Sequence, residues 1–235
     1  MCWSAEADLV AGTVVGGLGV WCLARVRRAR DVPLAALPLV LGVHQLIEAA
    51  VWSGAGGGGA AGHGESADRV VSAGWAPVAW AVIALPLLPA LVSLGVWCSA
   101  GPAGLGTAAQ RWRAVVALVG VTVSGCLAVV VASHPITAEA HGHTLRYAIG
   151  AAGPAGILQV GYLIATVGAL LLGGDRLLRL LGVLVGLGAV LCLALYRLAF
   201  VSTWCALSAL AALVLLRWVR RPLPGPGGTV RPAGS

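Results

Sequence analysis

Apolar stretches about 20 residues long alternate along the chain with short, arginine-bearing connections, and that pattern predicts membrane-crossing helices. A helix rises about 1.5 Å per residue, so roughly 20 residues cross a hydrocarbon layer of about 30 Å. Seven such spans are read, at about residues 5–24, 33–52, 72–98, 113–133, 147–172, 177–196 and 199–219. With the N-terminus outside, Arg25, Arg27, Arg28, Arg30, Arg111, Arg113, Arg176, Arg179, Arg217, Arg220, Arg221 and Arg231 are cytoplasmic, and Arg69, Arg146 and Arg197 are outside. A division of twelve to three obeys the positive-inside rule. The expected fold is an all-α integral membrane protein, a seven-transmembrane-helix bundle with its N-terminus outside and its C-terminus cytoplasmic. Residues 1–221 form the single helical domain, and the Pro/Gly-rich residues 222–235 form a disordered cytoplasmic tail.

Composition sharpens this picture in two ways. Hydrophobic residues make up 59% of the chain and charged residues 10%, with a mean hydropathy of +0.94. The net charge of +7 does not indicate nucleic acid as a partner, because the arginines punctuate apolar spans and form no basic patch. The chain contains neither Lys nor Asn and is dominated by Ala, Gly, Val, Leu and Arg. That usage suggests GC-rich coding and places the protein in a bacterial inner membrane.

The second span carries the chemistry. In Leu34–Trp52, LAALPLVLGVHQLIEAAVW, the residues His44, Glu48 and Trp52 recur every fourth position and stack along one helix face. With Trp52 at the interface, Glu48 lies roughly 6 Å and His44 roughly 12 Å below it. An ionisable group at such depth costs about 2.5–3.5 kcal/mol on insertion scales, so keeping two implies a use or a partner. They are read first as a functional site and second as hydrogen-bonding glue between helices. Ser4, Glu6 and Asp8 are read first as capping a helix start and second as supplying one carboxylate, Asp8 lying deeper than Glu6, that faces the bundle near Glu48. Gly12 and Gly16 form a small-xxx-small pair that allows close helix approach.

Elsewhere the polar residues are sparse. SGAGGGGAAGHGESADR reads as a flexible outer loop, with His63 solvated. Trp75, Pro77, Trp80, Pro86 and Pro89 mark the third span as one that bends or breaks its hydrogen-bond ladder. The fourth span leads into SHPITAEAHGHTLRY, read as a short outer connection, where His134, Glu139, His141 and His143 match no known metal-site spacing. Six scattered cysteines read as small apolar residues, and no GxSxG, Walker or HExxH motif occurs.

The segments MCWSAEADLVAG and PLAALPLVLGVHQLIEAAVW resemble a family of small bacterial membrane proteins that is similar to the integral-membrane terpene cyclases of drimane-type pathways. The resemblance lies in the first two helices, about a quarter of the chain, with His134-Pro135 as a weaker match. It implies proton-initiated cyclisation of a linear prenyl substrate that enters from the bilayer. A carboxylic acid buried in an apolar chamber would deliver the proton. Glu48 is the candidate acid, Asp8 the competing acid, and His44 the group that orients the acid or takes the final proton. Trp52, Trp75, Trp80, Tyr147, Tyr196 and Trp204 would face the migrating cation, each aromatic contributing about 0.5–2 kcal/mol. Arg146 and Arg197 would hold a diphosphate headgroup, with His134 reaching the pocket, and no metal or other cofactor is required. No DxDD-like acid motif occurs, so the acid is assigned by depth. Two other classes compete: a proton-coupled transporter relaying through Glu48 and His44, and a metal or haem protein using His44, His134, His141 and His143. The oligomeric state is left open.

Overall fold

The computed structural model describes residues 5–56, 68–71, 74–101, 107–141, 144–149, 155–194 and 200–221. Among the described residues, nine α-helical segments join into seven rods. The first two rods are α1 (Ala5–Ala24) and α2 (Val32–Gly56), the latter entered through a 3-10 turn at Ala29–Asp31. The third is a continuous rod in which α3 (Trp75–Val82) passes through a π-helical turn, Ile83–Leu87, into α4 (Leu88–Ser99). The fourth is α5 (Ala108–Ser133). The fifth repeats the interrupted design, with α6 (Ala155–Leu163), a π turn at Ile164–Gly168 and α7 (Ala169–Leu171). The last two are α8 (Arg176–Ala194) and α9 (Phe200–Val219).

Four of these helices are long and apolar enough to cross a membrane: Ala5–Ala24, Ala29–Ser53, Trp75–Ser99 and Ala108–Ser133. Large apolar side chains such as Leu118, Val129, Ile157 and Leu187 point outward, as on a surface that faces lipid. The main core of Leu34, Val96, Leu178, Leu215 and Trp218 sits toward the arginine-bearing end. At that end Arg113 Nε donates to the Leu172 carbonyl at 2.8 Å, and Arg221 pairs with Asp175 at 2.8 Å while covering the Trp218 ring.

Two corrections concern the opposite end. The chain is mainly helical, but three strands form a small antiparallel sheet there: β1 (Asp68–Val71), β2 (Ile136–His141) and β3 (Thr144–Ile149), in the order β1-β2-β3. Val71 and Tyr147 both register with Ala138, from opposite sides of β2. The segment read as a short outer connection is therefore a hairpin, and the fifth span does not start at Tyr147, because its helix begins at Ala155. The physical reason is a change of period. Ile136 and Ala138 are buried with Thr137 less so between them, the alternation of a strand with one covered face. A reading of apolar content alone passes over such a segment as a connection, because Thr137, Glu139 and His141 dilute it.

The third span breaks its ladder as its prolines predict. Within the π turn the Leu88 N–H bonds back five residues to the Ile83 carbonyl. The next donor in that register would serve the Ala84 carbonyl, and it belongs to Pro89, which has no N–H. The Tyr162 hydroxyl takes that role, donating to Ala84 O at 2.7 Å and tying the two interrupted rods together.

The closest helix contact joins α1 and α2. Asp8, Gly12, Val15, Gly19 and Cys22 form the buried face of α1, spaced three and four residues apart. A methyl group added at Gly12 would lie 2.9 Å from the Gly42 carbonyl oxygen, and one at Gly42 or Gly19 would collide with backbone across the contact. Gly17, by contrast, faces open space. Replacing Gly42 by Ala should lower the unfolding temperature, by the equivalent of about 1–3 kcal/mol of overpacking, whereas Gly17→Ala should leave it unchanged or slightly raised. Thermal unfolding of the two variants side by side checks the contact, and equal effects would refute it.

Candidate functional site

The glycine contact brings the two predicted acids together. Asp8, on the first turns of α1, is fully buried, and Glu48, on the last turns of α2, is 4% exposed. The two carboxyl groups lie within electrostatic reach of each other, and the Trp52 indole faces Asp8. Among the described residues neither Asp8 oxygen closes a hydrogen bond of normal length, and the same holds for the Trp52 indole N–H. The pair is thus removed from water with little protein solvation of Asp8, an expensive arrangement for a purely structural contact.

An aromatic layer adjoins the acids. Trp80 of α3 and Tyr147 of β3 stack with ring centroids 3.7 Å apart and planes 4° apart. The His44 ring meets Trp80 at 5.3 Å and 40°, and His44 Nε2 is buried without a hydrogen bond among the described residues. Ile47, Val51 and Trp52 of α2 pack with Ala76, Ala138 and Tyr147, while Ile136 seals Trp80 from the side. The sheet is therefore a lid over the carboxylates, and it positions Tyr147 above them. Burial, then Glu48 and then Asp8, push the Tyr147 phenol far above its ordinary value, so it stays a neutral O–H group.

The structure gathers six of the residues singled out from sequence: Asp8, His44, Glu48, Trp52, Trp80 and Tyr147. Trp75 does not join them, because it is 70% exposed at the start of α3, where an indole suits an interface. His134 ends α5 and its Nδ1 lies 3.1 Å from the Val130 carbonyl, a local helix-end contact. Arg146 and Trp204 have their backbones in β3 and α9, with their side chains outside the described residues. Tyr196, Arg197, His63 and His143 lie outside the described residues. Among the described residues no group of three or more His, Cys, Asp or Glu side chains is placed to hold a metal ion.

The Trp80 and Tyr147 faces are packed on each other. An apolar cavity of about 140 Å³ does occur, deeper in the bundle, between α2, α4, the α6–α7 rod, α8 and α9. Sequence reasoning missed one group on its wall, Ser208, whose Oγ accepts from Gln45 Nε2 at 2.7 Å. Gln45 was visible as a polar residue one position from His44; Ser208, in the last span, carried no signal.

The family comparison adds a placement without a chemistry. The chain belongs to a family of unknown function, DUF6629. That family's model matches residues 1–227, so it embraces α1 to α9 and the whole acid cluster. No curated protein and no solved structure matches the chain.

Tyr147 offers a clean check on this geometry. Its hydroxyl is buried without a hydrogen bond among the described residues, while its ring carries the stack. Tyr147→Phe should therefore be neutral or slightly stabilising, and Tyr147→Ala should cost about 3–5 kcal/mol, as for other large aromatics removed from a core. Thermal unfolding of both variants decides it, and an equally large loss in the Phe variant would mean that the hydroxyl, not the ring, holds the lid.

Proposed function

We propose that this protein is a bacterial inner-membrane enzyme of seven spans, N-terminus outside and C-terminus cytoplasmic, that cyclises a linear prenyl substrate by protonation. The observation that supports it best is the buried Asp8–Glu48 pair beneath a stacked Trp80–Tyr147 layer. The chemistry needs one carboxylic acid in this dry cluster to carry the proton that starts the reaction. Glu48 gives that proton to a terminal alkene carbon, leaving a tertiary cation on its neighbour. Internal double bonds then supply the electron pairs for the ring carbon–carbon bonds, and the cation moves along the chain. Loss of a proton to a base ends the sequence and restores the balance. His44 suits that last role, because its Nε2 has no hydrogen-bond partner among the described residues and, in the tautomer protonated at Nδ1, would accept the proton. Aromatic faces stabilise the travelling charge by about 0.5–2 kcal/mol each. The substrate reaches the acids laterally from the lipid, with Tyr147 parting from Trp80 as the hairpin lifts. Arg146 and Arg197 are the proposed holders of a diphosphate that stays attached.

The transport alternative has less support. A proton relay needs titratable groups across the bundle, yet between Glu48 and Asp31 the buried polar groups of the described helices other than His44 do not titrate: Gln45, Ser93, Ser124, Thr166 and Ser208.

Membranes carrying the wild type, Glu48→Gln or Asp8→Asn should be incubated with linear prenyl diphosphates and the products analysed after phosphatase treatment. The wild type should give a cyclised product, and Glu48→Gln should reduce it by at least about 100-fold, the size of a lost general acid. A product that survives in Glu48→Gln and vanishes in Asp8→Asn would reassign the acid to Asp8. No product at any chain length would overturn the cyclase reading.

A further inference from the structure

At the arginine-bearing end, opposite the acid cluster, α8 and α9 leave an open groove of about 540 Å³. Among the described residues it is lined by Leu177 from the first turn of α8, and by Leu213, Leu216, Arg217, Arg220 and Arg221 from α9 and the turn that follows it. The helical ladder runs on past Val219, since the Arg220 N–H bonds to the Leu216 carbonyl at 3.2 Å and the Arg221 N–H to the Trp218 carbonyl at 3.3 Å. That continuation fixes the order of the lining. Leu213, Leu216, Arg217 and Arg220 recur at intervals of three and four residues and share one face. The leucines of that face lie toward the middle of the helix and the guanidinium groups at its end.

The three arginines differ in what they already hold. Arg221 is committed, because its Nη1 bonds to Asp175 Oδ2 at 2.8 Å and its guanidinium carbon lies 4.4 Å from the Trp218 ring centre. Asp175 balances its charge. Arg217 and Arg220 are exposed, and their guanidinium groups have no hydrogen bond or ion pair among the described residues. Three residues apart on a helix, their Cβ atoms lie about 5–6 Å from each other, a separation at which both guanidinium groups reach the oxygens of one phosphate. The apolar part of the groove points to what that phosphate is attached to. Leu213 is 53% exposed, so this part opens sideways to the surroundings of the bundle, while Leu216 is buried and forms its floor. Snorkelling accounts for arginines at a helix end, but it gives no reason for a leucine-floored groove beside them. A soluble phosphate would use the arginines and leave the leucines uncovered, whereas a phospholipid uses both.

We propose that this groove binds one anionic phospholipid, its phosphodiester between Arg217 and Arg220 and an acyl chain along Leu213, Leu216 and Leu177. Basic pockets between membrane helices hold such headgroups in other proteins. The site is independent of the cyclase chemistry and requires only that α9 end at a membrane surface. To test it, the purified full-length protein in detergent is titrated with dioleoyl phosphatidylglycerol or dioleoyl phosphatidylcholine, and bound lipid is counted by native mass spectrometry. One phosphatidylglycerol should bind at least about tenfold more tightly than phosphatidylcholine, whose ammonium group meets the same arginines as a like charge. Arg217→Gln combined with Arg220→Gln should remove that preference, with the unfolding temperature confirming that the variant is folded. Arg27→Gln combined with Arg111→Gln removes the same charge from exposed positions outside the groove and should keep the preference. Glycerol 3-phosphate has the anion without the chains and should not displace the lipid. If the double groove variant does not fold, Arg220→Gln alone should weaken phosphatidylglycerol binding about tenfold, the usual worth of a hydrogen bond to a charged group. The proposal fails if the two lipids bind equally, if a folded groove variant keeps the wild-type affinity and preference, if the control pair loses the preference as fully, or if glycerol 3-phosphate displaces the lipid. Because no turnover is measured, this outcome is separate from that of the cyclisation assay.

Discussion

The approach of α1 to α2 is the constraint from which the rest follows. Gly12, Gly16 and Gly19 on one helix and Gly42 on the other remove the side chains that would hold the axes apart. Backbone then meets backbone, and dispersion contacts replace the hydrophobic drive that is absent between helices in lipid. The same face of α1 that carries the glycines carries Asp8, four residues before Gly12. Closing the glycine contact therefore fixes Asp8 against the Glu48 region of α2. The buried acid pair is a consequence of helix packing, and any change that separates the helices also separates the carboxyl groups.

The lid obeys a different rule. A bundle whose rods end at the membrane surface leaves its top layer open, and Asp8 and Glu48 lie near that layer. The sheet closes it with few residues, because Ile136, Ala138 and Tyr147 all face inward by strand alternation. Small Ala138 permits Tyr147 to lie flat on Trp80. The pairing of a rigid helix-borne indole with a hairpin-borne phenol gives the site one fixed wall and one that depends on local strand stability.

The helical part of this design was legible in the sequence because the length and apolar content of its segments give a strong signal. The glycine stripe of α1 and the acids on α1 and α2 were legible for the same reason, as exceptions in an apolar background. The partner glycine, Gly42, was hidden because α2 contains it without a second small residue at the matching interval. The hairpin was hidden because two six-residue strands that include Thr137, Glu139, His141, Thr144 and Arg146 have the polar content of an outer connection, and only their alternation marks them as strands. The link from Tyr162 to Ala84 was beyond any local reading, since it arises from two proline effects on one rod and is answered by a tyrosine 78 residues away. The exposure of Trp75 shows the converse. A tryptophan near a kink carries no information about which side of the helix it faces until the neighbouring helix is placed.

Along α2 the chemistry is ordered by depth, and that order bears on what the bundle can do. Leu37 and Leu41 line the deep cavity, Gln45 bonds to its Ser208 wall, His44 and Glu48 follow, and Trp52 faces Asp8 above them. One helix thus presents an apolar chamber, a hydrogen-bonded amide and an acid cluster in sequence. The amide is the boundary between two environments of opposite demand, a dry cavity that excludes charge and a polar pair that concentrates it. A leucine at position 45 would remove the bond from α2 to α9, and a charged residue there would place an ionised group among buried side chains. The neutral amide held by Ser208 keeps them distinct, which is why a polar residue is placed at that depth even though it carries no charge to pair.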